Sequence, residues 1–370
     1  MKTLFVAGTF DDKGGKPSGY ASKLYSSLEA GYPAKLYRTL EKPLNITEYQ
    51  NGGNFEVLQT IINRINTFDV VIWMIDVPND KEKLVDLIKK MNPTTMLVTS
   101  KRNFDNQYNR LELLGRMLQV KTNLLIEFIK KDDKFAATII DPLANAYCYE
   151  ETNIEVVAKK LSERLKFIID INRAGSEQIG EAKQIPDEKE FFALVKKNAE
   201  VFHSLVQGVN TERFLGNASF RCIKGGFPSF RHKNLAFVSR RNVDKRSIDK
   251  DGFVAVELSS FTNSHNVKYY GEYKPSVDTP VQIKLYNIFP NINYMVHAHV
   301  YIKGATFTEK VLPCGALEEV NEIWHESPNS QIEFFALNLK GHGSIVFTKE
   351  VSMFDTVEYY ARPFPEIQGE

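Results

Sequence analysis

Cysteine is scarce in this chain. Cys148, Cys222 and Cys314 stand far apart, and three residues so spaced build no disulfide framework. Long hydrophobic runs are missing as well: nothing approaches the roughly 18–20 apolar residues that span a bilayer. The opening Met1-Lys-Thr-Leu-Phe-Val-Ala-Gly8 enters a strand pattern at once, without the apolar core and small-residue cleavage site of a signal peptide. These features lead us to expect a cytoplasmic protein with no membrane association. Charge of one sign is not in excess either. The 47 Lys and Arg against 46 Asp and Glu leave a formal net charge of +1, which argues against broad electrostatic binding to nucleic acid or anionic membrane. Internal repeats and low-complexity tracts are absent.

What is present is globular. The chain has 370 residues, 43% hydrophobic and 25% charged, enough for two domains that each bury a core. In the first half, short apolar runs alternate with amphipathic segments. Strands are expected at Thr3–Ala7, Ala34–Tyr37, Val70–Ile75, Thr95–Thr99, Asn123–Ile129 and Ala136–Ile140, and helices at Ala21–Leu28, Val57–Ile65, Lys81–Met91, Leu111–Leu118 and Ile154–Ile169. That alternation predicts βαβ units: an α/β, Rossmann- or flavodoxin-like three-layer domain around a largely parallel sheet, over residues 1–172. The polar stretch Asn172–Pro186 ends in proline, so residues 173–187 read as a linker. Residues 188–370 then form a mixed α/β domain with a mostly antiparallel sheet. Its helices are expected at Glu188–Val206, Val281–Phe289 and near Met353–Ala361. Its strands fall at Ser219–Ile223, Asn234–Ser239, Phe253–Glu257, Met295–Val300 and Ser344–Phe347.

Chemistry-bearing residues concentrate in the second domain. His297-Ala-His299 lies in an apolar run that reads as a strand, where positions i and i+2 share a face and both imidazoles project together. A bare His-x-His is also what two hydrogen-bonded strand histidines would look like. A third histidine, in Gly341-His342-Gly343, directly precedes another apolar strand run. Three imidazoles with one open position is the donor set of a catalytic zinc or similar divalent ion. His203, His232, His265 and His325 lie in surroundings typical of structural or solvated histidines.

Five segments in order give the pattern its specificity: Gly216-Asn-Ala-Ser-Phe-Arg221, Pro275-Ser-Val-Asp278, the helix Val281–Phe289 with Pro290, Val296-His-Ala-His299, and Leu339-Lys-Gly-His-Gly343. This arrangement resembles the class II aldolase/adducin family over about the last 180 residues. The resemblance implies that His297, His299 and His342 are metal ligands, most simply of Zn2+, with manganese, iron and cobalt next in line. It implies that Asp278 stands for the family's glutamate, fourth ligand and catalytic acid/base, and that Asn217 and Ser276 bind the substrate phosphate. The chain departs from the usual Pro-Ser-Ser-Glu at Val277 and Asp278, and aspartate reaches one methylene less far. Where the family tends to carry Thr-Gly, this chain has Ser239-Arg-Arg-Asn-Val-Asp-Lys-Arg246; Arg240 and Arg241 could fork onto a phosphate or carboxylate, or the loop could be an exposed turn. The segment between His299 and Gly315 is short beside the sugar-phosphate aldolases and drops the stretch that carries a neighbour-subunit tyrosine there.

The function implied is a metal-dependent lyase, or related epimerase, acting on a small phosphorylated sugar or hydroxy-carbonyl compound through a metal-stabilised enediolate. Dehydration would use the same anion. A homo-oligomer, often a tetramer in this family, is implied too. Two alternatives stand beside it: an adducin-like binding or scaffold protein without activity, and a bifunctional protein whose first domain processes a nucleoside or phosphosugar. The first domain's candidate is the glycine-rich turn after its first strand, with Asp11, Gly14, Gly15 and Lys16; it matches neither the dinucleotide nor the P-loop fingerprint, and a surface loop fits equally well.

Overall fold

The computed structural model describes residues 2–7, 19–31, 35–39, 68–74, 95–104, 107–119, 121–131, 133–173, 175–205, 216–224, 227–229, 231–260 and 266–368. These divide into two compact units, Met1–Lys166 with Phe364–Glu370, and Phe167–Pro363.

The first unit is built on one eight-stranded sheet. Its strands are β1 (Lys2–Val6), β2 (Lys35–Thr39), β3 (Val70–Trp73), β4 (Met96–Arg102), β5 (Leu124–Lys131), β6 (Lys134–Ile140) and β7 (Asn145–Glu151), with β20 (Glu366–Ile367) at the edge. The order β2-β1-β3-β4-β5 is parallel throughout, β6 and β7 continue it antiparallel, and β20 returns parallel to β7. The parallel core is the flavodoxin-like strand order expected of βαβ units. Val70, Val71, Ile72 and Trp73 are all buried, as a parallel strand covered on both faces requires. Helices α1 (Gly19–Gly31), α2 (Arg110–Gln119) and α3 (Ile154–Arg173) are the described helices of the N-terminal half. The helices expected at Val57–Ile65 and Lys81–Met91 lie outside the described residues, as do Asp11, Gly14, Gly15 and Lys16.

The second unit holds another eight-stranded sheet, with strands β8 (Ser176–Gly180), β9 (Asn217–Phe220), β12 (Leu235–Ser239), β13 (Phe253–Glu257), β14 (Val267–Tyr270), β15 (Tyr294–Ala298), β17 (Phe334–Leu339) and β18 (Gly343–Thr348). Their order is β17-β18-β15-β9-β12-β13-β14-β8, antiparallel except for the β14–β8 pair. Two short ribbons, β10 (Ile223–Lys224) with β11 (Phe227–Pro228) and β16 (Tyr301–Ile302) with β19 (Tyr359–Tyr360), complete it. Phe191, Phe192 and Val195 of α4 (Lys189–Leu205) join one apolar core with Phe220, Phe237 and Phe253 of the sheet. A second core takes Val281, Leu285 and Tyr286 of α5 (Thr279–Ile288) and Val320 and Ile323 of α6 (Glu318–Glu326).

Three expectations differ from this architecture. The stretch read as a linker, 173–187, carries β8, and the division into units falls within α3. The tail from Phe364 belongs with the first unit, because its short strand finds a partner in β7. No helix runs from Met353 to Ala361: a 3-10 segment, Val351–Thr356, gives way to β19. Only Phe354 of that segment is buried, so there is no apolar stripe for an α-helix to bury.

Candidate metal centre

The site forms where β15, β9 and β18 lie side by side. His297 sits opposite Asn217 on one neighbour and Ile345 on the other, and His299 follows the strand's end. His342 enters from the turn before β18. Gly343, at φ 152°, brings that turn so close that an added Cβ would strike the Ala298 carbonyl and lie 2.8 Å from His299 Cα. Arg362 secures the turn from outside, donating to the carbonyls of His342 (3.1 Å) and Gly341 (2.9 Å). The three rings converge, with centroids 4.5 Å apart for His297 and His342, 5.1 Å for His297 and His299, and 5.3 Å for His299 and His342. One ligand atom from each lies within 4.8 Å of the others, and all three residues are buried.

The outer nitrogens of two rings are committed. His297 Nδ1 lies 2.8 Å from the Ser344 carbonyl, and His342 Nδ1 lies 2.7 Å from Glu319 Oε1. The bond to the Ser344 carbonyl leaves His297 Nε2 with its lone pair inward, and Glu319 turns His342 Nε2 the same way, its proton to be given up when a cation binds. His297 Nε2, His342 Nε2 and Asp278 Oδ1 are buried atoms without a hydrogen-bond partner. Such atoms are costly unless something satisfies them, and their donor types suit a divalent cation. Glu319, which escaped the sequence reading, has the only signal of being an acidic residue on an amphipathic helix.

Asp278 is placed by two stitched loops. Arg241 N donates to the Lys274 carbonyl (2.9 Å) and Ser276 N to the Ser239 carbonyl (3.2 Å), so the basic loop after β12 pairs with the Pro275-Ser-Val-Asp segment. Asp278 precedes α5 yet makes no capping bond there. Its Oδ2 accepts instead from Asn217 Nδ2 (2.9 Å) and lies 3.9 Å from His297 Nε2. Gln282 Nε2 donates to Asn217 Oδ1. One N–H of the Asn217 amide, a group implied to bind phosphate, is thus given within the site to aiming Asp278. Arg221, from the same motif, caps the far end of α5 through the carbonyls of Tyr286, Phe289 and Pro290. Arg240 packs its guanidinium 4.1 Å from the Tyr273 ring centre, and Arg241 is exposed.

Burial and neighbouring charges together set the protonation. Burial lowers His297 to about 4, reinforced by His342 and opposed by Asp278. It holds His299 well below the ordinary histidine value, with His297 and His342 adding to the effect. For His342 burial is outweighed by Cys314 and Glu319, and its pKa lies well above the usual value. Two further residues missed by sequence reasoning border the site. Lys245 is buried, and loss of hydration brings its ammonium down to about 8 against the pull of Asp244 and Asp278. Cys314 Sγ lies 4.0 Å from His299 Nε2.

Residues 196–321 match the family model described as Class II Aldolase and Adducin N-terminal domain. The match ends short of His342, which the Leu339–Gly343 segment contributes. No curated protein matches the chain. Among solved structures, L-fuculose-1-phosphate aldolase from Thermus thermophilus is 17% identical, covering 44% of this chain and 81% of its own, with a TM-score of 0.28. The DNA/pantothenate metabolism flavoprotein from Streptococcus pneumoniae is 14% identical over 45% of this chain and 98% of its own, with a TM-score of 0.31.

Proposed function

Taking a class II aldolase- and adducin-like domain over residues 196–321 as the premise, we propose that the second unit is a divalent-metal-dependent lyase, or a related epimerase, acting on a small phosphorylated sugar or hydroxy-carbonyl compound. The observation that carries this reading is the convergence of His297, His299 and His342 beside a carboxylate with a free oxygen. A buried polar atom left unsatisfied costs about 1–3 kcal/mol, so a pure scaffold would gain by replacing these side chains. Zinc is the first candidate for the ion.

A divalent cation in such a site supplies Lewis-acid stabilisation of negative charge developing on a substrate carbonyl oxygen. The chain's own residues do the rest. Asp278, aimed by Asn217 and with Oδ1 unpartnered, takes or returns the proton at the adjacent carbon. A substrate phosphate falls to Asn217, through its second N–H, and to Ser276, Arg240 and Arg241 on the two stitched loops. Assembly as a homo-oligomer belongs to the same proposal.

The test combines metal analysis with assay. Purified protein should carry one divalent ion per chain, His297→Ala should abolish its binding, and a panel of ketose and aldose phosphates should reveal cleavage or epimerisation that depends on the metal. Protein that takes up no ion even with added zinc would overturn the reading. A loaded protein inert toward the whole panel would return it to an adducin-like binding role.

A further inference from the structure

The thiol of Cys314 stands at the same convergence as the histidines and has no role in the reading above. Its sulfur is 4.0 Å from His299 Nε2, and it forms a second compact group of potential ligands with Asp278 and His342, their donor atoms all within 4.8 Å of one another. The turn that carries it is pressed onto the segment that carries Asp278. Gly315, at φ 81°, would place an added Cβ 2.9 Å from the Val277 carbonyl. Three residues after Cys314, Leu317 leads into α6 and its Glu319, which braces His342. One short segment therefore delivers both a thiol and a supporting carboxylate to the histidine cluster.

We propose that Cys314 supplies the fourth ligand of the metal centre, as a thiolate, so that the resting site is His3Cys and Asp278 stays off the ion. This rests on reading the three histidines as a cation site. Zinc bonds of about 2.3 Å to sulfur and about 2.0–2.1 Å to nitrogen, spread tetrahedrally, separate the two ligand atoms by about 3.6 Å. The observed S···N distance of 4.0 Å closes to that with a shift of a few tenths of an ångström. Asp278 is less suited. Its Oδ2 is held by Asn217, and the remaining Oδ1, on a side chain one methylene shorter than glutamate, is the oxygen that proton transfer needs. Binding is balanced by loss of the thiol proton to solvent as the metal–sulfur bond forms. A sulfur ligand also favours zinc and cobalt over magnesium, calcium or manganese. Asp278, free of the ion, would keep its unpartnered oxygen for proton transfer.

Cobalt(II) titrated into the metal-free full-length protein tests this without an assay of activity. A tetrahedral site with a thiolate gives intense visible d–d bands and a sulfur-to-cobalt charge-transfer band in the near ultraviolet. The expected result is both in the wild type. In Cys314→Ser and Cys314→Ala the charge-transfer band should vanish and cobalt affinity fall at least about tenfold, while Asp278→Asn keeps the band. Cobalt bound with d–d bands but no charge-transfer band, or a band that survives in both Cys314 variants, would overturn the proposal and leave the three-histidine site standing. No cobalt binding by the wild type would overturn both readings.

Discussion

At the scale of single residues, the site depends on groups behind the ligands as much as on the ligands. Glu319 holds the outer nitrogen of His342 at 2.7 Å inside the protein. Glu319→Gln should keep the fold and lower metal affinity about 10–100-fold, the usual cost of removing such a partner; an unchanged chelator-competition curve would count against the pairing. Lys245 gives a pH prediction. Its folded pKa of about 8 lies below the ordinary lysine value of 10.5. Between those pH values the unfolded chain holds a proton that the folded chain has lost, so stability rises with pH across that window. Below pH 8 the buried ammonium is a standing cost of at most about 3 kcal/mol. Denaturant unfolding of wild type and Lys245→Met should show the wild type gaining on the variant as pH climbs from 8 to 10.5, and a constant difference would refute the assignment. Because Lys245 adds positive charge near His297 and His299, the same variant should also bind a dication more tightly.

At the scale of elements, Gly343 decides how closely β18 approaches β15. Gly343→Ala forces a methyl against the Ala298 carbonyl, and should cost about 3 kcal/mol or more of stability and weaken metal binding, both measurable on one thermal-melt and titration series. Arg221→Met, which leaves the end of α5 uncapped, should lower stability by about 1–3 kcal/mol with a smaller effect on the ion. The elements bearing the site were legible because they are apolar runs with turn residues at their ends. Met295–Val300 and Ser344–Phe347 read as strands directly, and the structure has strands at Tyr294–Ala298 and Gly343–Thr348, with Gly341-His342-Gly343 just before the second. What escaped has local causes. β7 is interrupted by Cys148 at φ 51° and Glu150 at φ 52°, and its pairing with β6 slips, which spoils the period of two. β17 is an edge strand that leaves Phe334 exposed, so it shows no clean alternation. α6 is only nine residues long with a mixed first turn. Cys314 and Lys245 were invisible for another reason: nothing in the local sequence says that either reaches the histidines.

At the scale of the whole molecule, the chain doubles back. Its last described strand pairs with β7, where Glu366 N donates to the Ala144 carbonyl at 3.1 Å and Gln368 N to that of Ala146 at 3.0 Å. Removing residues 364–370 should lower the calorimetric transition of the first unit by a stability loss of about 1–3 kcal/mol and leave metal binding by the second unit intact. The central claim is that three imidazoles from separated positions share one cation. Crystals of the zinc-loaded protein, measured at the zinc absorption edge, put that to the most direct test. The account predicts one anomalous peak per chain, within bonding distance of His297, His299 and His342. A peak elsewhere, or one bonded to fewer than all three rings, would contradict it.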